Sequence, residues 1–113
     1  MVNLEVLKQR AFSAEKMQKI NLFETANFFC DIYCLCPGQV QKVHTHKDAD
    51  KVYYILEGEL IVQVGIEEQA CPAGQIVLAS AGEPHGVRNS SRKNATILVL
   101  MAPNPNVWKA NPN

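Results

Sequence analysis

The stretch Gly38-Gln39-Val40-Gln41-Lys42-Val43-His44-Thr45-His46 decides the fold, because it ends on an alternating pair of histidines. Side chains two apart on a β-strand point to the same face. One cation can therefore be held by both imidazoles, since divalent metals take His nitrogens at roughly 2.0–2.2 Å. The last histidine of the chain, His85, lies in Gly82-Glu83-Pro84-His85-Gly86, where it can return across a sheet to meet them. No histidine is spent elsewhere. This points to a three-imidazole metal site in a β-rich protein.

Working outward from that stretch, the pattern is strand on both sides. Phe28–Leu35 is rich in aromatic and β-compatible residues and stops at the Pro37-Gly38 turn. Val40–His46 reads as a strand, followed by a polar turn at Lys47-Asp48-Ala49-Asp50. Lys51–Leu56 comes next and turns at Glu57-Gly58-Glu59 into Leu60–Val64, which breaks at Gly65. Gln69–Cys71, Ile76–Ala79, His85–Asn89 and Ala95–Met101 complete the series. Short strands at near-even spacing predict an all-β fold, an antiparallel barrel or jelly roll of about 8–10 strands. Upstream, Ser13–Ile20 reads as a short N-terminal helix, with Ser13 as N-cap and Met17 and Ile20 on one face. Met1–Leu7 alternates weakly and is expected to be an edge strand. Downstream, Pro103–Asn113 carries three prolines, which exclude it from a central strand, and Trp108 is expected to pin it to the body.

At 113 residues and 47% apolar content, the chain suits one domain, 1–113, with a real core. Lys+Arg and Asp+Glu balance at 11 each and no basic block occurs, which argues against nucleic acid and anionic membranes as partners. The start Met1-Val2-Asn3-Leu4-Glu5 is unlike a signal peptide, and no apolar run approaches the roughly 20 residues that span a bilayer. A cytoplasmic location is the expectation. There the four cysteines, Cys30, Cys34, Cys36 and Cys71, are expected as thiols. Cys34-Leu35-Cys36 raises a metal or redox hypothesis, and packing as small hydrophobes on one strand face is the plainer reading.

Residues 38–89 resemble the cupin superfamily. Its first motif runs Gly, five residues, His-x-His, three or four residues, Glu, six residues, Gly; here it is Gly38, His44-Thr45-His46, Lys51 and Gly58. Its second runs Gly, five residues, Pro-x-Gly, two residues, His, three residues, Asn; here it is Gly74, Ser80-Ala81-Gly82, His85 and Asn89. Motif one thus spans 38–58 and motif two 74–89, with the short spacing of small single-domain prokaryotic cupins. The resemblance implies a cupin barrel, metal ligands at His44, His46 and His85, and a divalent transition metal as cofactor. Imidazole ligands suit Zn, Cu, Fe and Ni alike, so the sequence does not choose among Zn, Fe, Ni, Mn and Cu.

Two positions depart from the pattern. Ser80 replaces the motif proline at a turn, where loss of a fixed φ is tolerable. Lys51 replaces the motif glutamate, in cupins usually the fourth protein ligand. An ammonium has no lone pair and repels a cation, and lysine ligates only if burial strips its proton. Three readings stay open: the histidines bind alone and leave positions for water and ligand; Asp50, one residue away, replaces the glutamate; or Lys51 disables the site. Lys51 can also be a solvated strand-start residue paired with Asp48 or Asp50. Lys51 and Tyr53 share parity and are the candidate ligand-binding residues, while Gly82, Gly86 and Asn89 read as turn and loop-tether residues. Arg88 reads as one half of a surface ion pair.

Function follows from the site, not the fold. One hypothesis is a small metalloenzyme whose ion polarises a carbonyl or carboxylate, or binds dioxygen, with Lys51 pairing an anionic group. The alternative is a non-enzymatic barrel that binds or senses a small molecule or metal. Open sheet edges invite pairing, so a homodimer through Met1–Leu7 is expected, in line with the family resemblance.

Overall fold

The computed structural model describes residues 1–109, with residues 108 and 109 as backbone only; the expectation for the Trp108 side chain lies outside the described residues. The strands are β1 (Gln18–Thr25), β2 (Phe28–Leu35), β3 (Val40–His44), β4 (Asp50–Glu57), β5 (Glu59–Val64), β6 (Glu67–Pro72), β7 (Ile76–Ala79), β8 (His85–Arg88) and β9 (Ala95–Ala102). They form a five-stranded sheet, β1-β2-β9-β4-β7, facing a four-stranded sheet, β3-β8-β5-β6. Every pairing is antiparallel, so the fold is the expected all-β jelly roll. Among the described residues no helix is long and apolar enough to cross a membrane.

Period-two alternation builds the interior. On β4, Lys51, Tyr53 and Ile55 are buried, while Asp50 is exposed and Val52 and Tyr54 are half-buried. Ile97, Val99 and Met101 of β9 meet them inside, with Tyr33 and Leu35 from β2 and Leu60, Val62 and Val87 from the opposite sheet. Each such aliphatic or aromatic side chain contributes roughly 1.5–3 kcal/mol relative to exposure.

The N-terminal third differs from expectation. Residues 13–20 are not a helix. The Ser13 hydroxyl accepts the Glu15 N–H at 3.2 Å in a bend, and the strand β1 begins at Gln18. An eight-residue helix is marginal in water, whereas β1 pairs with β2 from Gln18 opposite Cys34 to Thr25 opposite Phe28. Met1–Leu7 is not an edge strand either: Val6–Gln9 forms a single 3-10 turn. At the other end, Pro105–Lys109 forms the short helix α1. Asn104, fully buried, caps it by accepting the Asn106 N–H at 3.0 Å. The same side chain donates to Glu24 Oε2 at 2.8 Å and to the Thr25 carbonyl at 3.0 Å. Asn104 thus ties the start of this segment to the end of β1.

Two glycines are sterically required. Gly58 turns β4 into β5 at φ +76°, and a Cβ there would lie 2.7 Å from the Asn94 carbonyl oxygen. Gly86 is in strand β8, not in a turn, and it faces a β-bulge. Gln41 pairs with Val87 and His44 with His85, so two residues of β3 oppose the single Gly86. A Cβ on Gly86 would sit 2.8 Å from the Gln41 carbonyl oxygen and 3.0 Å from the Val43 backbone. Gly86→Ala is therefore expected to destabilise the protein by about 1–3 kcal/mol, as overpacking does, and to displace His44. Urea denaturation of the variant checks this; an unchanged midpoint would show that the bulge yields freely.

Candidate metal centre

The bulge on β3 sets the site. Uninterrupted alternation from the buried Gln41 would point Val43 inward and His44 outward. Instead Val43 is exposed, and Gln41 and His44 face the same interior. β3 stops at His44, not His46, and the next residues leave the sheet. The segment is held to the turn of the second motif, where the Gly82 N–H donates to the His46 carbonyl at 2.9 Å. Asn89 anchors the far side: it is buried and its amide donates to the Leu35 carbonyl at 3.0 Å and the Lys93 carbonyl at 2.8 Å.

The three histidines come together. His85 on β8 lies directly across from His44, with ring centroids 4.5 Å apart; His44 and His46 are 4.8 Å apart and His46 and His85 5.6 Å. One ligand atom from each lies within 4.8 Å of the others, a span that a single cation at about 2.0–2.2 Å from each nitrogen bridges after small side-chain shifts. Two tautomers follow from their partners. His44 Nδ1 is 2.8 Å from the Lys42 carbonyl and His85 Nδ1 is 3.0 Å from the Glu83 carbonyl. A carbonyl only accepts, so both Nδ1 atoms carry the proton and both Nε2 atoms carry the lone pair. His85 is 1% exposed and its Nε2 has no hydrogen-bond partner. A buried acceptor left over in this way fits a cation. Burial holds the His85 imidazole down to about 4, against the pull of the Glu83 carbonyl, with Lys51 and His44 lowering it further. It is neutral at pH 7, as a metal ligand must be.

Lys51 is not a solvated strand-start residue: it is 1% exposed. Its Nζ lies 5.4 Å from the centre of the Tyr33 ring and 5.2 Å from that of Tyr53, within cation–π range. No carboxylate forms an ion pair with it among the described residues. Burial lowers its pKa to about 7, and Lys19 lowers it further, while Asp31 works the other way. Asp50 has the opposite parity. It is exposed and its Oδ1 accepts the Ala81 N–H at 2.8 Å, which corrects the reading in which it takes the place of the motif glutamate. Tyr53 is fully buried, stands 6.1 Å from the His85 ring and donates to Gln41 Oε1 at 2.8 Å. Burial pushes its pKa up, so the phenol is a neutral donor.

Gln41 is the residue that sequence reading missed. Its place three residues before His44 carries no signal without the bulge, because simple alternation separates the two. Cys30, Cys34 and Cys71 are buried and Cys36 partly so; all four are free thiols, and the first three are pushed up in pKa chiefly by burial. Arg88 pairs with Glu68 on the surface.

A nine-stranded jelly roll with two His-bearing motifs facing one interior defines a class. Residues 31–101 match the Cupin domain family, and the chain belongs to it. It is similar to TT1209 from Thermus thermophilus, at 47% identity and a TM-score of 0.91, over 93% of this chain and 100% of that one. It is similar to the tetracenomycin polyketide synthase protein TcmJ of Streptomyces glaucescens, at 29% identity over 61% of this chain and 46% of that protein. It is also similar to an oxalate-binding protein of Thermotoga maritima, at 27% identity over 59% of this chain and 55% of that protein. The matches span about half the length of these last two relatives.

Proposed function

We propose that residues 1–113 act as one cupin domain that holds a divalent transition metal through His44, His46 and His85 and binds a small anionic molecule beside it, as a metalloenzyme. The observation that carries this reading is the buried, unpartnered Nε2 of His85 within a cluster of three imidazoles. When bound, the ion supplies Lewis acidity to a carbonyl or carboxylate oxygen. The chain's own residues do the rest. Lys51 offers a cation to the anionic group, and Tyr53 supports that wall with a hydrogen-bonded phenol. His46 also lines a surface cleft of about 400 Å³ with Pro103 and Pro105. Elemental analysis of freshly purified protein tests the metal: about one Zn, Fe, Ni, Mn or Cu per chain supports it, and none refutes it.

The second reading is a binding barrel without turnover. It is favoured by the likeness to an oxalate-binding protein and by an interior in which Lys51 and Tyr53 are sealed from solvent. Release of a tightly held small acid on denaturation, unchanged from the form in which it was supplied, would favour it over the enzyme.

A homodimer remains part of the proposal, through a different surface from Met1–Leu7. The outer face of the five-stranded sheet presents Ile76 at 67%, Leu78 at 58% and Leu100 at 37% exposure. Val52 pairs with both Leu78 and Leu100, and Tyr54 with Ile76 and Leu98, so these residues form one apolar patch that ends at the unpaired edge of β7. A second copy of this neutral chain offers the self-complementary cover. Sedimentation at tens of micromolar is expected to give a dimer, and Leu78→Asp with Leu100→Asp a monomer. A monomeric wild type would end this part of the proposal.

A further inference from the structure

Gln41 is 5% exposed and its side-chain Nε2 has no hydrogen-bond partner. Its Oε1 is occupied by the Tyr53 hydroxyl, which fixes the amide with its N–H groups turned elsewhere. The interior therefore contains two unmet needs of opposite kind. His85 Nε2 is a lone pair that calls for a cation. Gln41 Nε2 is a donor that calls for an oxygen, and Lys51 is a second group that calls for a negative charge. Tyr53 is the common neighbour of all three: it hydrogen-bonds Gln41, stands 6.1 Å from the His85 ring and lies 5.2 Å from Lys51 Nζ. An unmet buried amide donor is destabilising, so it is kept filled or kept for a partner.

We infer that Gln41 is a ligand-orienting residue: its side-chain amide donates a hydrogen bond to a carboxylate oxygen of the small molecule bound beside the three imidazoles. This rests on the metal-centred reading above and adds its ligand chemistry, an oxyanion that touches the cation on one side and amide and lysine donors on the other. The division of labour is chemical. Lys51 supplies charge, while the amide is a donor at every pH and discriminates by direction. The β3 bulge makes this possible, since it turns Gln41 and His44 to the same side. Burial raises the pKa of the Tyr33 phenol, and Gln41 as a hydrogen-bonding neighbour draws it down by less, so the phenol oxygen is the competing acceptor within the protein.

The test uses the zinc-loaded full chain and acetate as the probe. In protein with ¹⁵N-labelled glutamine, acetate is expected to shift the Gln41 side-chain amide signals, identified by their loss in Gln41→Met. In that variant, acetate affinity read from the His85 and Tyr53 ring signals is expected to fall about tenfold, with zinc stoichiometry unchanged. If Gln41→Met does not fold, the wild-type amide signals, identified instead by their proximity to the Tyr53 ring, decide alone. Acetate that fails to bind, or that binds while those signals stay still, overturns the inference, and the orphan amide then serves a structural water or Tyr33. Equal acetate affinity in wild type and variant overturns it too. A wild type that takes up none of Zn, Fe, Ni, Mn or Cu removes the metal reading itself, and this inference falls with it.

Discussion

The double substitution His44→Ala with His46→Ala is expected to reduce bound divalent metal from about one per chain to background. Loss of a group that merely orients a ligand weakens metal sites by about 10–100-fold, so loss of two direct ligands should exceed a hundredfold. His85 alone would remain, buried on β8 with its Nε2 still facing the cluster. The fold should survive, because His44 and His46 are only half-buried at the rim and the ladder pairing of β3 does not use their rings. Metal content after dialysis, with urea denaturation as a control for folding, reads both effects. Full occupancy in the double variant would place any bound metal elsewhere.

The second large effect belongs to Lys51. In the unfolded chain its ammonium keeps its proton up to about the ordinary lysine value of 10.5, while in the fold burial lowers this to about 7. The unfolded state therefore binds more protons between those two values, and the Lys51 contribution to stability rises with pH across that window. Below pH 7 both states are charged and the whole burial cost is present, roughly 5 kcal/mol at most. Lys51→Met is expected to stabilise the metal-free protein by a few kcal/mol at pH 7. That advantage should shrink toward pH 10.5, as the folded wild type sheds its proton. Paired urea titrations of wild type and variant at pH 6, 8 and 10 check this; a difference independent of pH would mean that the ammonium is solvated in the fold.

Lys51→Glu carries the same logic to the metal. A +1 and a +2 charge about 6 Å apart repel by roughly 5 kcal/mol at an effective dielectric of 20, before screening. Exchange for a carboxylate turns this into attraction and restores the ligand type of the family motif. Metal affinity should rise and acetate affinity should fall in the same variant. Equal metal affinities would remove Lys51 from the site.

Much of this was legible along the chain. β2 and β7 begin and end where turn residues and apolar runs put them, and the other strands after β2 differ by a residue or two. The reason is that their signal is local: alternation, glycine turns and β-compatible composition each act over a few residues. The histidine spacing was local as well, and its meaning came from the joint pattern of two motifs. β1 was not legible. Its segment offers Ser13, Met17 and Ile20 at helical spacing, and only the waiting edge of β2, distant in pairing energy from anything in that segment, makes it a strand.

What the sequence by itself determined is the barrel and the identity of the residues with metal-binding chemistry, because strand periodicity and imidazole chemistry are properties of short stretches. What only the tertiary structure decided is which way those residues face. One bulge opposite Gly86 turns Gln41 and His44 to the same interior, and the strand phase of β4 buries Lys51 while it exposes Asp50. A shift of one residue in a sheet exchanges inside for outside, and that register is set by partners far away in the chain.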